Sequence, residues 1–336
     1  MKICLIGEYS GNLDEGMRNI AFYFAEELSK LHEVLRLDVK KIFLRDSWKR
    51  PKNFDPQIIH YVPGPTIKSF VLLKILSLYC RNIRTVMSAM RPYFCFLSAR
   101  LIPFFKPNLM LTQSYETEMM LKNLGCQTEF LPCGVDVKRF IPVTTKTKGK
   151  FKEKYGVNKG KFVILHVGSI KKGRNIQLLE KLQQGSNQVV IVGAKSTGVD
   201  QERRQQLEKS GCLVWTNYFE RIEEIYALSD CYVFPTIPKR DLMGRSISDS
   251  IEMPLSVLEA MACDLPIIST RFGALPRVFD EGKGLIYADK DEDFLWALEK
   301  IKNGIQVENR ERILPYSWEN IAKKLERIYS DLISKP

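Results

Sequence analysis

The sequence predicts an α/β protein built from two parallel-sheet domains, and three observations carry that prediction. A chain of 336 residues is long for one ordinary core. Short runs rich in Val, Ile and Leu alternate with longer segments of helical spacing, and the alternation starts twice. Between the two series lies a polar, lysine-rich stretch, residues 143–154, expected to be an interdomain linker. The expected division is 1–148, 149–314 and a terminal helix within 315–336.

The first series opens with a strand at Lys2–Gly7, a loop at 8–16 and a helix at 19–31 in which Ile20, Phe22, Phe24, Ala25 and Leu28 recur. The loop holds Gly7, Gly11 and Gly16 but lacks GxGxxG and GxxxxGK[ST] spacing, so a structural turn and a ligand loop are equally compatible with it. Strands follow at 34–37 and 58–62, the second containing His60, a residue type more often a satisfied core group than a catalyst when alone in a strand. Further elements are a strand at 109–111, a helix at 115–124, a strand at 129–131 and a turn-rich run at 131–142. After the polar stretch come strands at 162–167, 189–192, 212–214, 231–234, 267–270 and 284–287, with helices at 177–183, 201–208 and 222–228. The last helix, 318–333, carries Ile321, Leu325, Ile328, Tyr329 and Leu332 on one face and must dock that face.

Composition narrows the class. The apolar and charged fractions are those of a globular protein, and no run approaches the ~18 apolar residues of a spanning helix. The first residues, MKICLIGEYSG, are too short an apolar run for a signal peptide and read as a strand. Eight scattered cysteines without a CxxC pair are expected to be buried free thiols in a reducing compartment. The net charge of +12 directs attention to anionic partners. No acid occurs between Gln57 and Tyr115, and within 66–106 aromatic and aliphatic residues (Phe70, Leu73, Leu76, Tyr93, Phe94, Phe104) alternate with Lys68, Lys74, Arg81, Arg84, Arg91, Arg100 and Lys106. Such a stretch fits a helix at an anionic membrane surface, or else core helices with solvated basic faces. No nucleic-acid-binding motif accompanies the charge, and no nucleic-acid partner is expected.

The chemistry concentrates in residues 250–270. Pro254 suits the first turn of a helix, and Leu255, Val257, Leu258, Ala260, Met261 and Ala262 make that helix apolar nearly all round. Its N-terminus would offer unbonded N–H groups and the positive dipole end to an anion. Glu259 inside it and Glu252 before it need hydrogen-bond partners, which a polyhydroxyl ligand could supply. A second anion site is the loop GSIKKGRN, with Gly168, Lys171, Lys172, Gly173 and Arg174. A third is the turn TRFGALPRVF, with Gly273. All three follow strands, where open parallel sheets collect ligands.

These residues also carry a resemblance. FLPCGVDVKRFIP, HVGSIKKGRN, IYALSDCYVFPT and MPLSVLEAMACDLPIISTRFGALPRVF, in this order, resemble the retaining glycosyltransferases of family four, which have the GT-B fold. The likeness is strong over 129–279 and weaker over 1–128. It implies two Rossmann-like domains facing a cleft, a C-terminal helix returning to the first domain, a nucleotide-sugar donor in the second and the acceptor mostly in the first. It implies no cofactor and no metal, in keeping with the lack of a DxD pair suited to a diphosphate-bound cation. Carried over residue by residue, Glu259 would bind the donor ribose, and Leu255 and Ser256, reached through Met253 and Pro254, would offer N–H groups to the diphosphate. Lys172 would bind phosphate, with Gly168 and Ser169 in its loop. Many members have arginine where Ser169 stands, a role Arg174 would take over. Gly16 would approach the diphosphate from the first domain, and Gly273 would lie beside the sugar.

The family's first acid stands eight positions before the second, which here is Ile251. The neighbouring Glu252 is the expected sugar-facing acid, and His60 is expected to orient donor or acceptor. Arg277 occupies a position often acidic in the family. The resulting expectation is sugar transfer with retention to a glycan or lipid-linked acceptor, by a cytoplasmic protein peripheral to the membrane through 66–106. Another GT-B enzyme (an epimerase or phosphorylase) and a non-catalytic, membrane-associated member remain as alternatives.

Overall fold

The computed structural model describes residues 1–42, 45–80, 82–92, 99–194, 198–238, 248 and 250–335. The aromatic and basic positions Arg81, Tyr93, Phe94 and Phe96, and Cys95, lie outside them. The chain forms two compact units, Met1–Gly134 with Lys239–Met253 and Trp318–Pro336, and Val135–Pro238 with Pro254–Ser317.

The first unit holds a six-stranded parallel sheet: β1 (Lys2–Gly7), β2 (Glu33–Asp38), β3 (Ile58–Gly64), β4 (Arg84–Ala89), β5 (Leu109–Thr112) and β6 (Thr128–Phe130). Its order is β2-β1-β3-β4-β5-β6, so the chain reverses direction across the sheet between β1 and β3. The second unit repeats the design with β7 (Phe162–Val167), β8 (Asn187–Val192), β9 (Leu213–Trp215), β10 (Cys231–Phe234), β11 (Ile267–Ser269) and β12 (Leu285–Tyr287). Their order, β12-β11-β10-β7-β8-β9, places the reversal between β7 and β10. Central strands such as β1, β7 and β10 are buried along nearly their whole length, as continuous apolar runs in a sheet covered on both faces should be. Such α/β sheets bind ligands beyond the carboxyl ends of the strands at the reversal.

Three expectations change. The unit boundary falls between Gly134 and Val135 instead of 148 and 149. Residues 143–154 do not form a linker: Thr145–Lys154 is a helix of the second unit, capped by the Thr144 side chain. Lys148 and Lys152 each lie 2.9 Å from the Asp230 carboxylate and Lys154 pairs with Glu224, so the lysines that read as solvated are spent on tertiary ion pairs. The stretch 66–106 is not one amphipathic helix. It comprises a helix at Ile67–Tyr79, the buried strand β4 and a short helix at Ile102–Phe105. Phe70, Leu72, Leu73 and Leu76 enter the core, while Ile75, Leu78, Leu101 and Phe104 are exposed.

The terminal helix, Trp318–Ser334, belongs to the first unit. Trp318 stacks on Tyr23 at 4.9 Å and meets Phe24 edge-on. Gly134 is a glycine for this reason, since a Cβ there would sit 2.5 Å from the Trp318 ring. Seven of the cysteines (Cys4, Cys80, Cys126, Cys133, Cys212, Cys231 and Cys263) are buried free thiols. Among the described residues, no helix is long and apolar enough to cross a membrane.

Candidate functional site

In the second unit, β7 ends at Val167 and the chain turns sharply at Gly168. The Gly168 N–H donates to the Val192 carbonyl at 3.0 Å, and a Cβ on Gly168 would stand 3.0 Å from His166 Nε2. Two tight turns follow: Lys171 N–H reaches the Ser169 carbonyl at 3.1 Å, and Arg174 N–H the Lys171 carbonyl at 3.3 Å. Gly173 closes them at φ +92°, a conformation that costs glycine nothing. The loop carries Lys171, Lys172 and Arg174 with no acid between 168 and 175, and Lys172 is exposed. His166 beneath it donates Nδ1–H to the Val233 carbonyl at 2.9 Å. Burial holds its pKa down to about 4, so the ring stays neutral and does not add to the loop's charge.

Across the reversal, β10 leads towards the helix Leu255–Ala262. Pro254 is its N-cap, at φ −64° and ψ 116°, one position earlier than the first helical turn where the sequence places it. Val257 N–H bonds the Pro254 carbonyl at 3.1 Å. The N–H groups of Leu255 and Ser256 have no acceptor among the described residues. The helix is buried at every position except Ser256 and Glu259. Those two are three residues apart and therefore share one face, so the whole polar surface of this helix is a serine at its start and a carboxylate one turn on.

Both are fixed from below. Glu259 Oε2 accepts from the Tyr226 hydroxyl at 2.6 Å, and Oε1 has no partner among the described residues. Burial raises the Glu259 pKa, and the Tyr226 bond and the nearby Arg139 charge oppose it. Ser256 Oγ lies 2.7 Å from the Tyr232 hydroxyl, which also reaches the Val167 carbonyl at 3.2 Å. The two tyrosine rings stack at 6.0 Å. Neither tyrosine stood out in the sequence. The signal was there, because a buried tyrosine needs a partner for its hydroxyl and these two lie among aliphatic neighbours. Gly273 follows β11 at φ +55°, ahead of the short helix Leu275–Val278 that contains Arg277.

In the first unit two expected residues have partners within the unit itself. His60 is wholly buried, with Nδ1 2.6 Å from the Tyr329 hydroxyl and Nε2 2.7 Å from Ser88 Oγ. Both ring nitrogens are used inside the core, where they join β3 to the terminal helix and to β4. Desolvation pushes its pKa down to about 3. Glu252, half-buried, is engaged by the first unit. Its Oε2 accepts from Ser114 N–H at 3.2 Å and its Oε1 from the Thr117 hydroxyl, at the start of the helix Tyr115–Asn123. A carboxylate there complements the positive helix end. Burial raises its pKa to about 7, with the Thr117 and Ser114 bonds pulling the other way. Glu252 N–H donates to the Met90 carbonyl at 2.9 Å, and buried Met253 accepts from Cys133 N–H through Sδ at 3.1 Å. Gly16 begins the helix Gly16–Leu28, and a Cβ on it would meet the Ile251 side chain at 2.9 Å. A side chain at position 16 would thus displace the tip of Ile251 within the first unit itself.

The structure therefore brings Gly168, Ser169, Lys172 and Arg174 to one side of the β7–β10 reversal and Pro254, Leu255, Ser256 and Glu259 to the other. Residues 161–303 match the family model of the glycosyl transferases group 1. Over 233 residues the chain is 27% identical to the D-inositol 3-phosphate glycosyltransferase of Corynebacterium jeikeium, covering 62% of this chain and 52% of that protein. It is 24% identical over 238 residues to the alpha-monoglucosyldiacylglycerol synthase of Acholeplasma laidlawii, covering 66% and 56%. The chain spans about half the length of the curated relatives it matches. Among solved structures, the sucrose-phosphate synthase of Thermosynechococcus elongatus aligns over 99% of both chains at TM-score 0.78 and 17% identity. Anabaena HepE in complex with UDP and glucose aligns over 98% and 100% at TM-score 0.74 and 15% identity. The match to the glycosyl transferases group 1 thus spans residues 161–303, and the fold of the chain is the GT-B fold.

Proposed function

We propose that this chain moves a sugar from a nucleoside-diphosphate sugar to a glycan or lipid-linked acceptor, with retention at the anomeric carbon. The observation that carries the proposal is the helix Leu255–Ala262, whose only unburied positions, Ser256 and Glu259, lie across a sheet reversal from a glycine loop with three cations and no acid. Glu259, held by Tyr226 through one oxygen, has a second oxygen to accept a ribose hydroxyl. The Leu255 and Ser256 N–H groups and Lys172 and Arg174 would hold the diphosphate. Their fixed dipoles and charges would stabilise the negative charge that develops as the nucleoside diphosphate leaves. In this scheme the departing phosphate accepts the acceptor's proton, the cationic loop and helix end do the work of a metal, and neither Glu252 nor His60 acts on the sugar.

Labelled donors of the UDP, GDP and ADP series, each with product analysis, test the reading. Transfer that survives EDTA supports it; an epimer or a sugar phosphate as product would replace it with the related GT-B chemistries. For the acceptor, we propose that the first unit meets an anionic lipid surface. The helices Ile67–Tyr79 and Ile102–Phe105 pack together and expose Ile75, Leu78, Leu101 and Phe104 beside exposed Lys68, Lys74, Arg100 and Lys106. Binding to vesicles rich in phosphatidylglycerol, weakening as salt rises, is the expected result. No binding at low salt would contradict it.

A further inference from the structure

We infer that Tyr232 is a positioning residue for the donor diphosphate, acting as a hydroxyl relay that frees Ser256 to donate to phosphate. The inference rests on the nucleotide-sugar reading above and deepens it. The Tyr232 hydroxyl has one hydrogen and two oxygens within reach, Ser256 Oγ at 2.7 Å and the Val167 carbonyl at 3.2 Å. A carbonyl only accepts, so when Tyr232 serves Val167 it is Ser256 that donates to Tyr232. In that arrangement both hydrogens are used inside the protein.

A phosphate oxygen arriving at the Leu255 and Ser256 N–H groups changes the balance. Rotation of two hydroxyls turns the chain round: Tyr232 donates to Ser256 Oγ, and Ser256 donates to the phosphate. The longer bond to Val167 is exchanged for a charge-assisted one, and each donor in the row polarises the next. No proton is transferred and no covalent bond is made or broken.

The placement suits the role. Val167 is the last residue of β7 and directly precedes Gly168, so one hydroxyl touches both the cationic loop's root and the helix start. The ring is fully buried and stacked on Tyr226, which holds Glu259. Tyr232→Phe therefore keeps the ring's packing and removes the hydroxyl, with its bonds to Ser256 and Val167.

Calorimetric titration of the whole chain with UDP, GDP and ADP, and with the matching nucleosides, tests it. For whichever diphosphate the wild type binds, Tyr232→Phe is expected to weaken affinity by about 5- to 20-fold and to leave nucleoside affinity unchanged. Ser256→Ala should do the same, the double variant should be no weaker than the worse single one, and Ser256→Thr should retain wild-type affinity. If the wild type binds no nucleoside diphosphate, the donor reading falls and the relay with it. If Lys172→Ala weakens the diphosphate but Tyr232→Phe does not, the donor reading stands and the relay is wrong. Equal weakening of nucleoside and diphosphate by Tyr232→Phe would mean that it only packs, and would overturn the relay.

Discussion

After β1 the chain enters a loop braced by Arg18 of the helix Gly16–Leu28, whose guanidinium lies 3.1 Å from Asp14 and 3.5 Å from Glu8 and also bonds the Asn12 carbonyl. After β7 it enters a loop with three cations and no acid, whose Lys172 stands exposed. The two loops occupy equivalent places: each follows the first strand of its series, at the reversal of a six-stranded parallel sheet. In the first, charge is spent on the loop's own shape. Arg18 is nearly buried, Glu15 caps the helix that follows by accepting from Arg18 N–H at 3.0 Å, and Ser10 bonds Asp38. In the second, backbone turns around Gly168 and Gly173 make the shape, and the Lys172 side chain stands exposed. Equivalent topology thus says where a ligand can sit, and the charge ledger of each loop says whether an anion is welcome there.

That contrast can be broken from either side. The largest effect is expected at Glu259. Glu259→Ala removes the ribose acceptor and leaves the Tyr226 hydroxyl buried without its partner, so kcat/KM should fall about 100-fold. A 2′-deoxy donor should then lose little more on the variant, though it loses much on the wild type; equal losses on both would detach Glu259 from the ribose. On the other side, Arg18→Ala leaves Asp14 without its cation and Glu8 with only Lys40, and should cost about 2–4 kcal/mol in denaturant unfolding, with diphosphate affinity unchanged. Weakened diphosphate binding by the folded variant would show that the first loop also serves the anion.

The first unit's titrating groups sharpen the picture with opposite signs. Glu252 has a pKa raised to about 7, so its contribution to stability is full below the ordinary carboxylate range and is lost as pH rises through about 7. Glu252→Gln should flatten the unfolding midpoint between about pH 4.5 and 7 and leave turnover near wild type. A collapse of turnover in a stably folded Glu252→Gln protein would restore Glu252 as a sugar-facing acid. His60, lowered to about 3, contributes stability above the ordinary histidine range that is lost as pH falls towards about 3. The smallest effect is expected for Tyr329→Phe, which deprives His60 Nδ1 of its partner: about 1 kcal/mol of stability and no change in donor affinity.

What the sequence could reveal follows from how far apart the interacting residues lie. The strand and helix alternation was legible because a doubly covered sheet writes itself as apolar runs. The helix after Pro254 was legible for a similar reason: it is apolar on all sides but one, and the exception is Glu259. The role of Glu252 was not, because its partners Thr117 and Ser114 stand 135 and 138 residues away. His60 finds Tyr329 across 269 residues, and local spacing cannot distinguish that bond from a catalytic contact. Residues 143–154 read as a linker because composition counts lysines without seeing Asp230 and Glu224. Tyr226 and Tyr232 were passed over as core aromatics, although their hydroxyls set the two polar residues of the helix.

The central claim is that the loop after β7, and not the loop after β1, holds the donor's diphosphate. Calorimetric titration of wild type and Lys172→Ala with the nucleoside diphosphate that stabilises the wild type, alongside its nucleoside, tests it most directly. The account predicts about a 10- to 100-fold loss of diphosphate affinity in Lys172→Ala with nucleoside affinity intact. Equal diphosphate affinities in the two proteins would contradict it.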